Sequence, residues 1–362
     1  MGNRFSKTFS FTDINYAIAG KEDKTAMFLD YSELLNALDS GASAKITVRS
    51  RRVDRAEFEK SLLLPMREDG LDHFREEYNE MLLSKGTGAA SAVQDRLITI
   101  TAAKRNISEA RSYFSRVGTD LMTHLAQLSS SCRELDAAAR LQVFRDFFRE
   151  EPAPFPFDLK GQMRLGHSFK DWLCPDSMEF RKDHFRLNSR WGRALYLQDY
   201  ASYIKDSMIA ELCSLDRSLM LSIDILPVPT DEAVKEIQNK LLGVATNAAN
   251  WQRKQNAANN FSAVLPYDME MQRKETTEML NDLTSRDQRM MFGLVTMVHL
   301  ADSREQLDSD TETILTVARK HLCQMSVLRW QQKDGLDTAL PYGLRKIQAL
   351  RTLTTESAAV LI

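Results

Sequence analysis

"QRMMFGLVTMVHLA", residues 288–301, decides the fold class, because both of its alternating sets of side chains are apolar. A strand with that pattern lies inside a sheet and is covered on both faces. Such a sheet needs helical layers, and the flanking sequence supplies them. Downstream, Asp302 and Glu305 open a helix carrying Leu307, Ile314, Ala318, Leu322, Met325 and Leu328. Upstream, "SLMLSIDILPVP" (218–229) alternates Leu221, Ile223 and Ile225 with Ser222 and Asp224 until Pro227 and Pro229 end the strand. "WGRALYLQDY" (191–200) reads as a further strand, and a short helix through Met208 to Cys213 follows it.

The same alternation is found earlier in the chain. "AKITVRSRR" (44–52) places Ile46 and Val48 between polar neighbours, as a half-buried strand does. A helix over 72–83 follows, with Phe74, Tyr78, Met81 and Leu82 at helical spacing, and then a β-branched strand, "DRLITITAA" (95–103). Asn106 caps a long helix, with Glu109 three residues on as its box partner. The expectation is an α+β fold of two similar strand-helix-strand-helix halves, residues 1–150 and 189–338. Between them lies a linker and irregular segment, 151–188, marked by three prolines in "EEPAPFPFD" (150–158) and a turn at Pro175.

The second half carries the most regular pattern. Val234, Ile237, Leu241, Val244, Ala248 and Trp251 are spaced 3, 4, 3, 4, 3, a narrow heptad seam. Beyond Pro266, Met269, Met271, Met279, Leu280 and Leu283 mark a returning helix, so residues 231–286 read as a helical hairpin arm. The competing reading lays both helices flat on the sheet.

Composition bounds the function. With 43% hydrophobic and 27% charged residues the chain is of globular type, and a net charge of -2 supplies no global field for nucleic acid. Cys132, Cys174, Cys213 and Cys323 form no CxxC pair, so neither a disulfide scaffold nor a zinc framework is expected. No apolar run approaches the ~20 residues that span a bilayer. Localisation is read as cytoplasmic, with peripheral attachment to the membrane. Gly2 and Ser6 fit the short myristoylation pattern, which is too degenerate to weigh.

Catalytic patterns are not found. "AGKED" (19–23) and "SKGTGAA" (84–90) lack the spacing of a phosphate loop and read as loops. His73, His124, His167, His184, His299 and His321 form no HExxH pair, and His321 and Cys323 fall on different faces of the expected helix. No GxSxG elbow is present, and Asp224 has no second acid at compatible spacing. The one basic cluster is "KITVRSRRVDR" (45–55). Arg49, Arg51 and Arg52 read first as a solvated strand edge, with a phosphate or anionic-lipid contact as the functional alternative. Together with the seam residues Val234, Ile237, Leu241, Val244 and Trp251, they are the candidate interaction residues.

Four runs, taken in order, resemble the conjugation ATPases of type IV secretion systems, the CagE/TrbE/VirB family, especially the versions on Gram-positive mobile elements. They are "RALYLQDYASYIKDSMIAEL" (193–212), "SLMLSIDILPVPTDEAVKEI" (218–237), "RMMFGLVTMVHLADSREQLD" (289–308) and "ALPYGLRKIQALRTLTTESAAVLI" (339–362). The resemblance covers about residues 188–362 and includes no catalytic motif. It implies a non-catalytic N-terminal docking domain of a motor for conjugative DNA transfer. Its implied partners are other channel subunits, its own motor domain, further copies of itself and the membrane surface, without direct nucleic-acid binding. No cofactor is expected in this chain, since ATP and magnesium belong to the motor. Residues 339–362 are then the start of the crossover into that motor, and "RTLTTESAAVLI" (351–362) is the strand leading to its phosphate loop, interrupted partway. Two alternatives stand beside this: a free-standing adaptor or regulator acting on a motor in trans, and a hydrolase whose site assembles only in three dimensions.

Overall fold

The computed structural model describes residues 3–361 apart from 15, 17–18, 53–62, 87–91, 150–157, 202–206, 216 and 261–263. It is an α+β fold built on one 11-stranded sheet, antiparallel at the pairings within each half and at the junction between them. The first-half strands are β1 (Arg4–Phe11), β2 (Ala42–Arg52), β3 (Ala92–Ala103) and β4 (Cys132–Glu134). A short hairpin, β5 (Met178–Phe180) and β6 (Phe185–Leu187), leads into β7 (Arg190–Asp199), β8 (Ser218–Pro227), β9 (Met290–Ala301), β10 (Gln324–Val327) and β11 (Arg351–Thr354).

The strand order is β4-β1-β3-β2-β8-β9-β7-β6-β5, with β10 also on β7 and β11 also on β9. From the β2–β8 pair the order therefore runs β2-β3-β1-β4 in one direction and β8-β9-β7-β10 in the other. The two stretches expected as separate halves share this sheet. Their junction is a full ladder, from Ala44 opposite Ile225 to Ser50 opposite Leu219. β9 lies in the interior, and all its residues but Phe292 are buried, as its sequence required.

One face of the sheet carries the larger core. Phe9, Ile46, Ile98, Ile100, Leu221, Ile223, Val295 and Met297 point into it. It is covered by α1 (Lys21–Asn36), α3 (Ile107–Gln127), α7 (Ser207–Cys213), α10 (Arg304–Lys320) and α12 (Thr355–Ala359), through residues such as Leu35, Phe114, Met208, Ile314 and Ala358. The label α2 belongs to Asp72–Gly86, in the β2–β3 connection. On the opposite face, Phe147 and Phe148 of α4 (Ala137–Phe148) and Leu336 and Ala339 of α11 (Gln332–Ala339) pack on Ala194, Met220, Leu294 and Val298.

The β8–β9 connection is a hairpin of α8 (Thr230–Ala257) and α9 (Tyr267–Ser285), packed along each other. Among the described residues only its base is anchored in a core, where Ala233, Ile237 and Leu283 meet Met290. The flat-lying alternative does not describe it, because the middle of α8 is exposed on every side but the one facing α9.

Several local expectations are corrected. The helix after β9 stops at Lys320, so Met325 lies on β10 and Leu328 beyond it. The stretch 158–188 contains α5 (Leu159–Arg164), α6 (Phe169–Leu173) and the β5–β6 hairpin, while the proline run 150–157 lies outside the described residues. The run from 351 is a four-residue strand, after which Thr354 accepts a bond from Ser357 N–H and starts α12. Lys21–Asp23, expected in a loop, opens α1. The apolar set of α2 faces outward: Phe74, Tyr78 and Met81 are exposed, and the helix instead uses Asn79 and Asp72 to bind the backbone of Leu64, Arg67 and Glu68.

Candidate functional site

Strand alternation places Lys45 and Thr47 of β2, Thr99 and Thr101 of β3, and Ser222 and Asp224 of β8 on the face that α11 covers. All six are buried. A buried polar side chain is costly unless bonded, and most of these bonds go to one stretch, the end of α11 and the extended chain that follows it. We call residues 340–350 the strap.

Lys45 is the centre of the site. Its Nζ donates to the carbonyls of Thr338, Leu340 (3.3 Å) and Leu344 (2.9 Å), so each of its three protons has an acceptor. Directly across the ladder, Asp224 Oδ1 lies 3.6 Å from Nζ. Burial pushes the Asp224 carboxyl up to about 6, against the opposing pull of Lys45 and Arg345. Burial likewise lowers the Lys45 ammonium, with Asp224 opposing. The neighbouring register pair repeats the pattern without charge. Thr47 Oγ1 and Ser222 Oγ are 2.7 Å apart, and Ser222 Oγ donates to Ala339 O at 2.6 Å.

The rest of the strap is fixed from both sides. Thr99 Oγ1 donates to Pro341 O (3.2 Å), and Gly343 passes so close to Thr101 that a Cβ there would run into its side chain. Thr338 Oγ1 accepts from Lys346 N–H (3.0 Å), and Lys346 Nζ pairs with Asp337 and Asp334. Beyond the strap, β11 pairs β9, from Arg351 opposite Gly293 to Thr354 opposite Met290. The strap thus crosses the β2–β8 pair and then rejoins the sheet. Its chemistry is that of a clamp: one ammonium holds three carbonyls at the seam between β2 and β8.

Of the expected interaction residues, Arg49 is buried and committed. Its Nε donates to Asp95 Oδ2 (2.9 Å) and its Nη1 to Val143 O (3.1 Å), with Asp146 Oδ2 at 3.4 Å, tying β2 to α4. Strand β2 is central and not an edge, which corrects the solvated-edge reading of Arg49. Arg51 and Arg52 continue β2 opposite Val93 and Ala92, beyond the last pair of the β2–β8 ladder, and their side chains lie outside the described residues. On α8, Ile237 and Val244 are buried, while Val234, Leu241 and Trp251 are half-buried. The seam closes on α9 inside the hairpin, so these residues build the arm rather than its outer surface. Leu242, Val264 and Tyr267 are exposed on it instead.

All four cysteines are free thiols. Among the described residues no group of three or more His, Cys, Asp or Glu side chains is placed to hold a metal ion. His321 bonds Glu211 (2.8 Å), and His299, held by burial down to about 3, bonds Thr311 Oγ1 (3.0 Å). Among the described residues no helix is long and apolar enough to cross a membrane. No protein-family model matches the chain, and no curated protein matches it either.

Proposed function

We propose that this chain is a docking and assembly domain standing N-terminal to the motor of a conjugation ATPase of a type IV secretion system, where it couples that motor to the membrane channel from the cytoplasmic side. The reading rests on the resemblance carried by residues 193–212, 218–237, 289–308 and 339–362. The observation that supports it most is the clamp. A coupling domain has to transmit displacement without absorbing it, and the β2–β8 ladder joins both halves into one sheet while Lys45 fastens the strap across their junction. Force on the segment from 351 onward would reach the sheet through β11 and the strap together. The arm, anchored only at its base, is the element that reaches a neighbouring subunit of the assembly.

The experiment is to delete 231–286 behind a short linker in the parent protein, then measure oligomerisation and conjugative transfer. Loss of both with the remaining domain folded is the expected outcome. Unchanged assembly and transfer would remove the arm from the mechanism.

A further inference from the structure

Helix α2 carries an apolar stripe that the cores do not use. Phe74, Tyr78 and Met81 recur at helical spacing, and Leu71, whose carbonyl accepts the Arg75 N–H at 3.3 Å, extends the series to steps of 3, 4 and 3. All four are between 39% and 64% exposed. No described side chain of α2 belongs to the hydrophobic cores that hold the sheet. Isolated helices of about 15 residues or fewer are marginal in water and draw most of their stability from burying such a face. Here the secured side is the opposite one, where Asn79 bonds both backbone groups of Leu64 and Asp72 accepts from the N–H groups of Arg67 and Glu68. Grouped apolar side chains left in solvent mark an interaction surface.

Shape and charge select the occupant. A 3, 4, 3 spacing makes a narrow seam, the width that one facing helix covers, whereas a sheet or core needs a broader face. The two flanks differ in charge. On one, Arg75 is held by both Asp69 and Asp72. On the other, Glu77 lies three residues from Phe74 and four from Met81, hence beside both, and Glu80 follows one turn on. Both glutamates are exposed and neither makes an ion pair among the described residues. His73 stands at the head of this flank, its ring 5.7 Å from that of Phe74. A second copy of the chain would bring the same carboxylates against these, and like charges across an interface are disfavoured.

We propose that the stripe of Leu71, Phe74, Tyr78 and Met81 is a docking face for an amphipathic helix of a partner protein, whose apolar edge packs on the stripe while its lysine or arginine residues meet Glu77 and Glu80. Helix recognition of this kind reads anchors at i, i+3, i+4 and i+7. The β2–β3 connection that carries α2 leaves the sheet beyond Ser50, which lies opposite Leu219, whereas the arm leaves beyond Pro227 at the other end of β8. The stripe is therefore a second contact surface, separate from the arm and independent of the motor reading. It is tested on the purified chain without any transfer system, so the failure of one is distinguishable from the failure of the other.

The probe is a fluorescein-labelled helical peptide with leucine at heptad positions a and d and lysine at e and g, titrated into the full chain by anisotropy, beside a counterpart with glutamate at e and g. Saturable binding of the lysine peptide is expected, at least about tenfold tighter than the glutamate one. Phe74→Ala combined with Tyr78→Ala, both exposed and outside the cores, should weaken it by at least about tenfold with the urea midpoint unchanged. Glu77→Lys combined with Glu80→Lys should reverse the preference between the two peptides. Glu270→Lys combined with Glu275→Lys makes the same change of charge at exposed positions of α9 and should leave the preference as it was. The proposal is overturned by absent binding, by equal binding of the two peptides, or by affinity unchanged in the Phe74 and Tyr78 variant. A preference that the Glu77 and Glu80 variant does not reverse, or that the α9 variant reverses as well, also overturns it. So does a dimer in sedimentation velocity that Phe74→Ala with Tyr78→Ala dissolves, since a second copy would then occupy the stripe.

Discussion

Lys45→Met is the substitution that examines the clamp most severely. Methionine fills a similar volume but leaves the carbonyls of Thr338, Leu340 and Leu344 without their shared donor and Asp224 without its counter-charge. The two side chains are only 3% and 6% exposed, so water does little to replace what is lost. Removing one partner of a buried pair costs about 3–5 kcal/mol. Set against a domain stability of about 5–15 kcal/mol, this is a large fraction. The cost should depend on pH. Asp224 has its carboxyl raised to about 6 even with Lys45 present, so without Lys45 it is neutral at about pH 5, where the charge penalty disappears. There the loss falls to that of the unsatisfied carbonyls, about 1–3 kcal/mol.

The assay is urea unfolding of Lys45→Met, Asp224→Asn and the double variant, at about pH 7.5 and about pH 5. The double variant should lose less than the sum of the singles, and the single Lys45 variant should lose more at the higher pH. A Lys45→Met protein within about 1 kcal/mol of the parent at the higher pH would refute the clamp. So would single losses that add to within about 0.5 kcal/mol, because contacting residues do not behave that way.

Other predictions bear on the same frame. Gly343→Ala forces the strap off Thr101 and should cost about 1–3 kcal/mol in urea unfolding, with part recovered by adding Thr101→Ala. Ile237→Ala, in the core at the base of the arm, should cost about 2–5 kcal/mol, whereas Leu242→Ala on its exposed side should stay within about 0.5 kcal/mol. His299 is held down to about 3 from its ordinary 6.5, so the unfolded chain binds the extra proton. Its contribution is present above 6.5 and is lost as pH falls toward 3. Urea midpoints should therefore drop on acidification, and less steeply in His299→Gln.

Much of the frame was legible because burial leaves a periodic trace. β9 is apolar on both alternating sets and lies in the sheet interior; α3 begins where Asn106 accepts from Glu109 N–H, although Glu109 reaches back to Arg105 N–H rather than to the cap itself. The heptad seam of α8 was legible as a hairpin because its partner helix follows directly. What stayed hidden is where a long-range contact overrides local pattern. Lys45, Arg49 and Asp224 look like edge or solvent residues, since a single strand carries no sign of the carbonyls or carboxylates that will satisfy them. The strap has no periodicity at all. The end of α10 was missed because Leu322 occupies the left-handed position where glycine or asparagine usually signals a stop. In α2 the apolar spacing was real but faces outward, because polar bonds from Asp72 and Asn79 fix the opposite side.

The central claim is that this clamped sheet is the docking half of a motor protein. The most direct measurement is to read the native gene past the codon for Ile362. An in-frame GxxxxGK[ST] after a strand pattern within about 100 residues is the predicted result. A stop codon in its place would contradict the account and leave an adaptor acting on a motor in trans.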